Sequence, residues 1–147
     1  NRIKKLDMSN NKEIQELWCG VNDLIEIDVS QNLKLENLFC EYNGLLELDV
    51  SKNLNLKWLC CFVNRLTKIN VSKNVKLKSL TCYTNRITEL DVSQNKQITE
   101  IEIDENVNVI RPYKSSDELC HSINVVFYER PNAPKLTESE ITALFNT

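Results

Sequence analysis

The stretch LKLENLFCEYNGLLELDVSKN, residues 33 to 53, decides the fold, because the 21 residues that follow it, LNLKWLCCFVNRLTKINVSKN, repeat its pattern without a gap. Working outward, Lys12 to Asn32 and Val75 to Asn95 align at the same period. Cys19, Cys40, Cys61 and Cys82 fall in one column and Asn22, Asn43, Asn64, Asn85 and Asn106 in a second. Asn11, Asn32, Asn53, Asn74 and Asn95 form a third column about half a period away. Self-similarity at a fixed period of this size means stacked coils, each too small to bury its apolar face alone.

Within each half-repeat apolar and polar residues alternate, as in Leu38/Phe39/Cys40 and Leu48/Asp49/Val50, which is the period of a short half-buried strand. No 3.6-residue periodicity fits between consecutive Asn positions. One coil is therefore expected to carry two short strands joined by Asn corners. Stacking at roughly 4.8 Å per coil lines the interior with Leu17/Leu38/Leu59/Leu80, the Cys column, Leu24/Leu45/Leu66/Ile87, Ile27/Leu48/Ile69/Leu90 and Val29/Val50/Val71/Val92.

The unit apolar-x-x-apolar-x-Cys-x-x-Asn-x-apolar, read on Leu35, Leu38, Cys40, Asn43 and Leu45, resembles the leucine-rich-repeat family, with Cys at the third apolar place. More narrowly, it is similar to the bacterial 21-residue class with two alternating half-repeats, over residues 2 to 106. The resemblance implies a leucine-rich-repeat solenoid, of the α/β horseshoe class by family but here nearly all β. It also implies a right-handed coil and a parallel sheet on the concave side. It further implies a binding scaffold rather than an enzyme, and a bacterial, secreted or cell-surface location. The inward Asn amides are expected to bond their own coil and the next. They are also expected to tolerate left-handed backbone where Gly would otherwise stand.

Composition agrees with one folded domain: 147 residues, 41% hydrophobic, 27% charged, net charge -3. With Lys+Arg 18 against Asp+Glu 21, no basic excess exists to follow a phosphate backbone, so no nucleic-acid partner is expected. No apolar run approaches bilayer length, so no membrane insertion is expected. Only 2 Gly and 3 Pro occur beside 6 Cys, so the turns must rest on Asn.

The ends differ from the middle. Ile3, Leu6, Met8 and Asn11 match only the second half of a repeat, which leaves an open N-terminal end suited to self-association or to further repeats. Beyond Asn106 the register places Asn108, Arg111 and Tyr113 at core positions, so the stack is expected to stop there. The reading is thus a solenoid over 1–106, with four full repeats over 12–95 and a degenerate last coil, and a small C-terminal cap over 107–147. In the cap, residues 123 to 129 read as a strand and Arg130 to Pro134 as a turn. Thr137 with Glu140 forms a capping box for a short helix carrying Ile141, Leu144 and Phe145.

Chemistry finds little support. Four Cys in a straight, evenly spaced row neither converge on one metal nor face one another for disulfides, so they read as small core fillers. Cys60 falls on the outward parity and is expected to be an exposed thiol. The column Asp7, Asp28, Asp49 and Asp91, with Asn70 in the fourth place, reads as solvated surface rather than a calcium site. Asn70-Val71-Ser72 matches a glycosylation sequon by chance. His121 beside Cys120 does not make a catalytic pair, and no phosphate loop or nucleophile elbow occurs. No cofactor, no metal and no catalytic residue is expected.

The outward positions of the first half-repeat are the candidate site. Trp18, Phe39, Trp58, Phe62 and Tyr83 form a diagonal aromatic surface that includes Glu41 and is bordered by Glu100, Glu102 and Asp104. Exposed aromatic patches mark binding sites, and Trp and Tyr dominate hot spots. The sequence therefore points to a recognition module for a protein partner. A glycan-binding surface or a spacer within a longer surface protein is the alternative.

Overall fold

The short apolar-centred tripeptides of the repeat become strands. In the computed structural model, which describes residues 2–111 and 123–128, eight strands occur: β1 (Glu16–Trp18), β2 (Asn37–Phe39), β3 (Trp58–Cys60), β4 (Ser79–Thr81), β5 (Glu89–Asp91), β6 (Glu100–Asp104), β7 (Asn108–Ile110) and β8 (Asn124–Tyr128). A long parallel sheet runs β1-β2-β3-β4-β6-β8, and β5 pairs with β7. The register is the repeat itself: Leu17 lies opposite Leu38, Leu38 opposite Leu59, Leu59 opposite Leu80, Leu80 opposite Ile101 and Ile101 opposite Val125. The chain is a parallel β-solenoid, nearly all sheet, as its periodicity demands.

The interior is filled by the expected columns. Leu24, Leu35, Leu38, Leu45, Leu56, Leu66, Leu77 and Leu80 are wholly buried, and each such side chain contributes about 1.5–3 kcal/mol relative to exposure. Cys19, Cys40, Cys61 and Cys82 are buried free thiols in the same wall. Burial pushes the Cys19 thiol up to about 11 and Cys82 to about 12, and holds Cys40 and Cys61 well above the usual range.

The two Asn columns clamp successive coils. Asn43 donates Nδ2 to the carbonyl of Cys40 in its own coil (3.2 Å) and of Cys19 in the preceding one (3.0 Å), while its Oδ1 accepts the Leu24 N–H (3.0 Å). Asn53, fully buried, donates Nδ2 to the carbonyls of Val29 and Asn32, both at 3.0 Å. The inter-coil bonds thus reach back to the coil before, whereas the sequence reading expected the coil after.

The left-handed backbone also sits elsewhere than expected. Val21, Tyr42, Val63 and Thr84 have φ of 56°, 50°, 50° and 52°, each one residue before the Asn of its corner. For β-branched Val and Thr this conformation is strained, so the Asn clamp holds a backbone that its neighbour disfavours.

The acidic column has a structural role that the sequence reading missed. Asp7, Asp28, Asp49, Asn70 and Asp91 each accept, at Oδ1, the backbone N–H of the Ser two residues on, at 2.8–3.0 Å. These are Asx turns that open the second corner, and Asn70 serves because an amide oxygen accepts as a carboxylate does. Bonding from the Ser N–H and side chain holds Asp7, Asp28, Asp49 and Asp91 below the ordinary carboxylate value.

Two further expectations need correction. A second strand per coil forms a ladder only at β5 and β7 among the described residues; the earlier second halves turn through their Asx corners instead. Pairing also continues beyond Asn106, because Val107 is buried and Val109, not Asn108, packs inward opposite Leu90. Asn106 itself is exposed, in a turn that the Val107 N–H closes on the Asp104 carbonyl. β8 then adds a strand to the long sheet, within the segment read as a strand from sequence. The helix expected near Thr137, the turn at 130–134, Tyr113, and Cys120 with His121 lie outside the described residues.

Candidate functional site

Parallel register carries the alternation of each strand onto one outward face. Trp18 is 68% exposed and Trp58 40%, whereas Phe39, Phe62, Tyr83 and Glu41 are half-buried. Ring contacts among the outward aromatics fall into two groups. Trp18 stacks on Phe39 (centroids 3.9 Å, 16°) at the β1 edge. A second group runs from Tyr42, edge-on to Phe62 (5.1 Å, 77°), through Phe62 on Tyr83 (4.6 Å, 17°) to Tyr83 on Tyr128 (4.0 Å, 21°). Trp58 stands apart, with Lys78 Nζ 5.7 Å from its ring centre.

Tyr42 and Tyr128 are therefore members that the column argument missed. Tyr42 occupies the strained turn position, which period-two alternation does not describe. Tyr128 belongs to the segment beyond the repeat, and only its pairing opposite Asp104 shows where it falls.

The acidic border is also rearranged. Glu100 is exposed and Glu102 half-buried, but Asp104 is 2% exposed and does not face outward. Its carboxylate accepts the N–H of Thr84 (3.0 Å) and of Asn85 (3.3 Å). In earlier coils the equivalent N–H groups of Tyr42 and Asn43 bond backbone carbonyls of Phe62 and Val63. Asp104 thus supplies by side chain the acceptors that the next corner would otherwise provide.

Polar bonds order the rest of the face. Glu16 accepts from Asn37 Nδ2 (2.8 Å) and Trp18 Nε1 (3.3 Å), Glu100 from Ser79 Oγ (3.4 Å), and Glu102 from the Tyr128 hydroxyl (2.9 Å). Cys60, expected to be exposed, is half-buried beside Phe39 in register. Burial first, then the Glu41 carboxylate, pushes its thiol up to about 12. Oε2 of Glu41 is itself buried and has no hydrogen-bond partner. Gly20 makes room for it: a Cβ there would lie 2.4 Å from Glu41 Oε1.

The described residues include no group of three or more His, Cys, Asp or Glu placed to hold a metal. No helix long and apolar enough to cross a membrane occurs among them.

Repeat, coil and inner Cys wall together define the class: the chain has the leucine-rich-repeat solenoid fold and resembles its 21-residue form with alternating half-repeats. Among solved structures it is similar to the functional domain of InlJ from Listeria monocytogenes, which is described as including a cysteine ladder. Identity is 33% and the TM-score 0.71, over 87% of this chain and 32% of that one. InlF, an internalin from Listeria monocytogenes strain 4b F2365, shares the fold at 18% identity and a TM-score of 0.70, over 87% of this chain and 39% of that one. The chain thus spans about a third of the length of these relatives. No family model and no curated protein matches the chain.

Proposed function

We propose that the chain is a non-enzymatic recognition module that binds a protein partner on the outward face of the long sheet, at the cell surface or outside the cell. Trp18, Phe39, Trp58, Phe62, Tyr83 and Glu41 form the contact surface, to which Tyr42 and Tyr128 are added. The observation that carries this reading is the pair of stacked aromatic groups held on a rigid sheet with a Trp 68% exposed at one end. Stacking fixes ring positions in advance, so little side-chain entropy is lost on binding. The likeness to the 33%-identical InlJ functional domain supports the scaffold that holds this face.

Sugar recognition is less well supported, because it needs open ring faces. Tyr83 has both faces occupied, by Phe62 and Tyr128. The test is capture of labelled extracellular proteins on an array, with Trp18→Ala and Phe62→Ala as controls that keep the core. Loss of a captured partner by roughly tenfold or more in both variants supports the reading. Capture unaffected by either variant, or saturable binding to a glycan array instead, overturns it.

A further inference from the structure

Charge along the outward face is one-sided. No Lys or Arg occupies an outward strand position of the long sheet, although the chain has 18 of them, while Glu16, Glu100 and Glu102 do. Basic residues stand instead on the flanking positions, as Lys57 and Lys78 do, and Lys78 already lies over the Trp58 ring. Aromatic faces and carboxylates attract the same class of group, a cation with an apolar stem.

The second observation is Glu41. It sits one period after Gly20 and one before Phe62, in the same coil as Phe39. Its Oε2 is buried with no N–H or O–H donor, and the one group the carboxylate pairs with is the Cys60 thiol, a weak donor. A buried carboxylate oxygen without a donor is an incomplete pair. Gly20 leaves open the space into which that carboxylate projects.

We propose that this face recognises a cationic segment of a protein, and that Glu41 receives an Arg or Lys side chain flanked by Phe39 and Phe62. The inference rests on the reading that the face binds protein, and adds the chemistry of what is bound. A planar guanidinium suits the site because it stacks on rings while donating to a carboxylate. Glu100, Glu102 and Glu16 then steer the remaining positive charges along the sheet.

The experiment uses three fluorescein-labelled dodecapeptides that share Leu and Trp positions and differ only in carrying Arg, Gln or Glu at four places. Binding to the full chain is followed by fluorescence polarisation at low and physiological salt. The Arg peptide is expected to bind at least roughly tenfold more tightly than the Gln peptide, with an advantage that shrinks as salt rises. Glu41→Gln and Gly20→Ala should each weaken the Arg peptide roughly three- to tenfold and the Gln peptide by less than roughly twofold, in variants whose melting curves match the parent. Asp49→Asn, in the other half-repeat, should change neither.

Equal affinity for Arg and Gln peptides, no binding of the Arg peptide, or an Asp49→Asn effect as large as that of Glu41→Gln overturns the proposal. Tight binding of the Gln peptide that Trp18→Ala abolishes would overturn the cationic preference while leaving the protein-binding face standing. Arg-peptide binding indifferent to both Trp18→Ala and Glu41→Gln would overturn both.

Discussion

Tyr83 stacks on Tyr128 at 4.0 Å across the strand that separates them, because β6 lies between β4 and β8 and its residue at that column, Asp104, turns inward to accept the Thr84 and Asn85 N–H groups. One inward carboxylate thus both ends the corner series and leaves the two rings free to meet. Alanine at either ring should couple: a Tyr83→Ala/Tyr128→Ala double-mutant cycle is expected to return about 0.5–1.5 kcal/mol. Hydrogen exchange in Asn124–Tyr128 should quicken in both single variants, while β1 to β3 stay protected. Additive effects would show that the stack contributes nothing.

Asn53 tests the inter-coil clamp. Asn53→Leu removes two inter-coil hydrogen bonds and leaves the carbonyls of Val29 and Asn32 with only their own coil's donors, the N–H groups of Asn32 and Leu35. Urea unfolding should show a loss of about 1–3 kcal/mol. Because each coil touches only its neighbours, the transition is also expected to broaden as the stack splits at that coil.

Thr84 tests the strained corner. It is exposed, at φ 52°, so its side chain contributes little packing to offset the left-handed conformation. Thr84→Asn should raise stability by about 1 kcal/mol in the same urea assay, since Asn accepts this geometry more readily. Thr84→Pro, whose ring cannot adopt positive φ, should unfold the last corner.

The Asx column predicts the acid limit of stability. Asp7, Asp28, Asp49 and Asp91 lie below their ordinary value of 3.8 when folded. A depressed folded value means that the stabilisation is complete above the unfolded value and is lost as pH falls through the folded one. Melting temperature is therefore expected to drop as pH descends from 3.8. The combined Asp28→Asn, Asp49→Asn and Asp91→Asn variant should keep its turns, as Asn70 does, and show a shallower drop.

The Cys wall predicts chemical silence. With Cys40 and Cys61 held well above the usual range, Cys19 at about 11 and Cys60 and Cys82 at about 12, no thiolate forms near neutral pH. Site-mapped alkylation of the native chain should leave these five unmodified until denaturant is added.

The coil was legible from residues 33 to 53 set against the 21 residues that follow them. A 21-residue register forces Leu38 over Leu17 and Cys40 over Cys19, and alternation then assigns Trp18, Phe39 and Phe62 to the other face. The Asp column was visible as a column but not as a turn. Its purpose depends on a backbone N–H two residues away, which a pattern of side chains does not display. Likewise, Asn was rightly placed at the corners, yet the left-handed residue proved to be its predecessor, Val63 or Thr84, types whose propensity argues against that conformation.

Sequence by itself determined the period, the inner columns and the parity of the residues of β1 to β4, because translation by one coil repeats each local environment. Tertiary structure decided what happens where that translation ends or the environments differ: Asp104 turning inward, Tyr128 joining Tyr83, Tyr42 meeting Phe62, and the Glu41 carboxylate filling the space over Gly20 with no N–H or O–H donor on Oε2. These depend on distances between side chains of different coils, and such distances exist only once the coils are stacked.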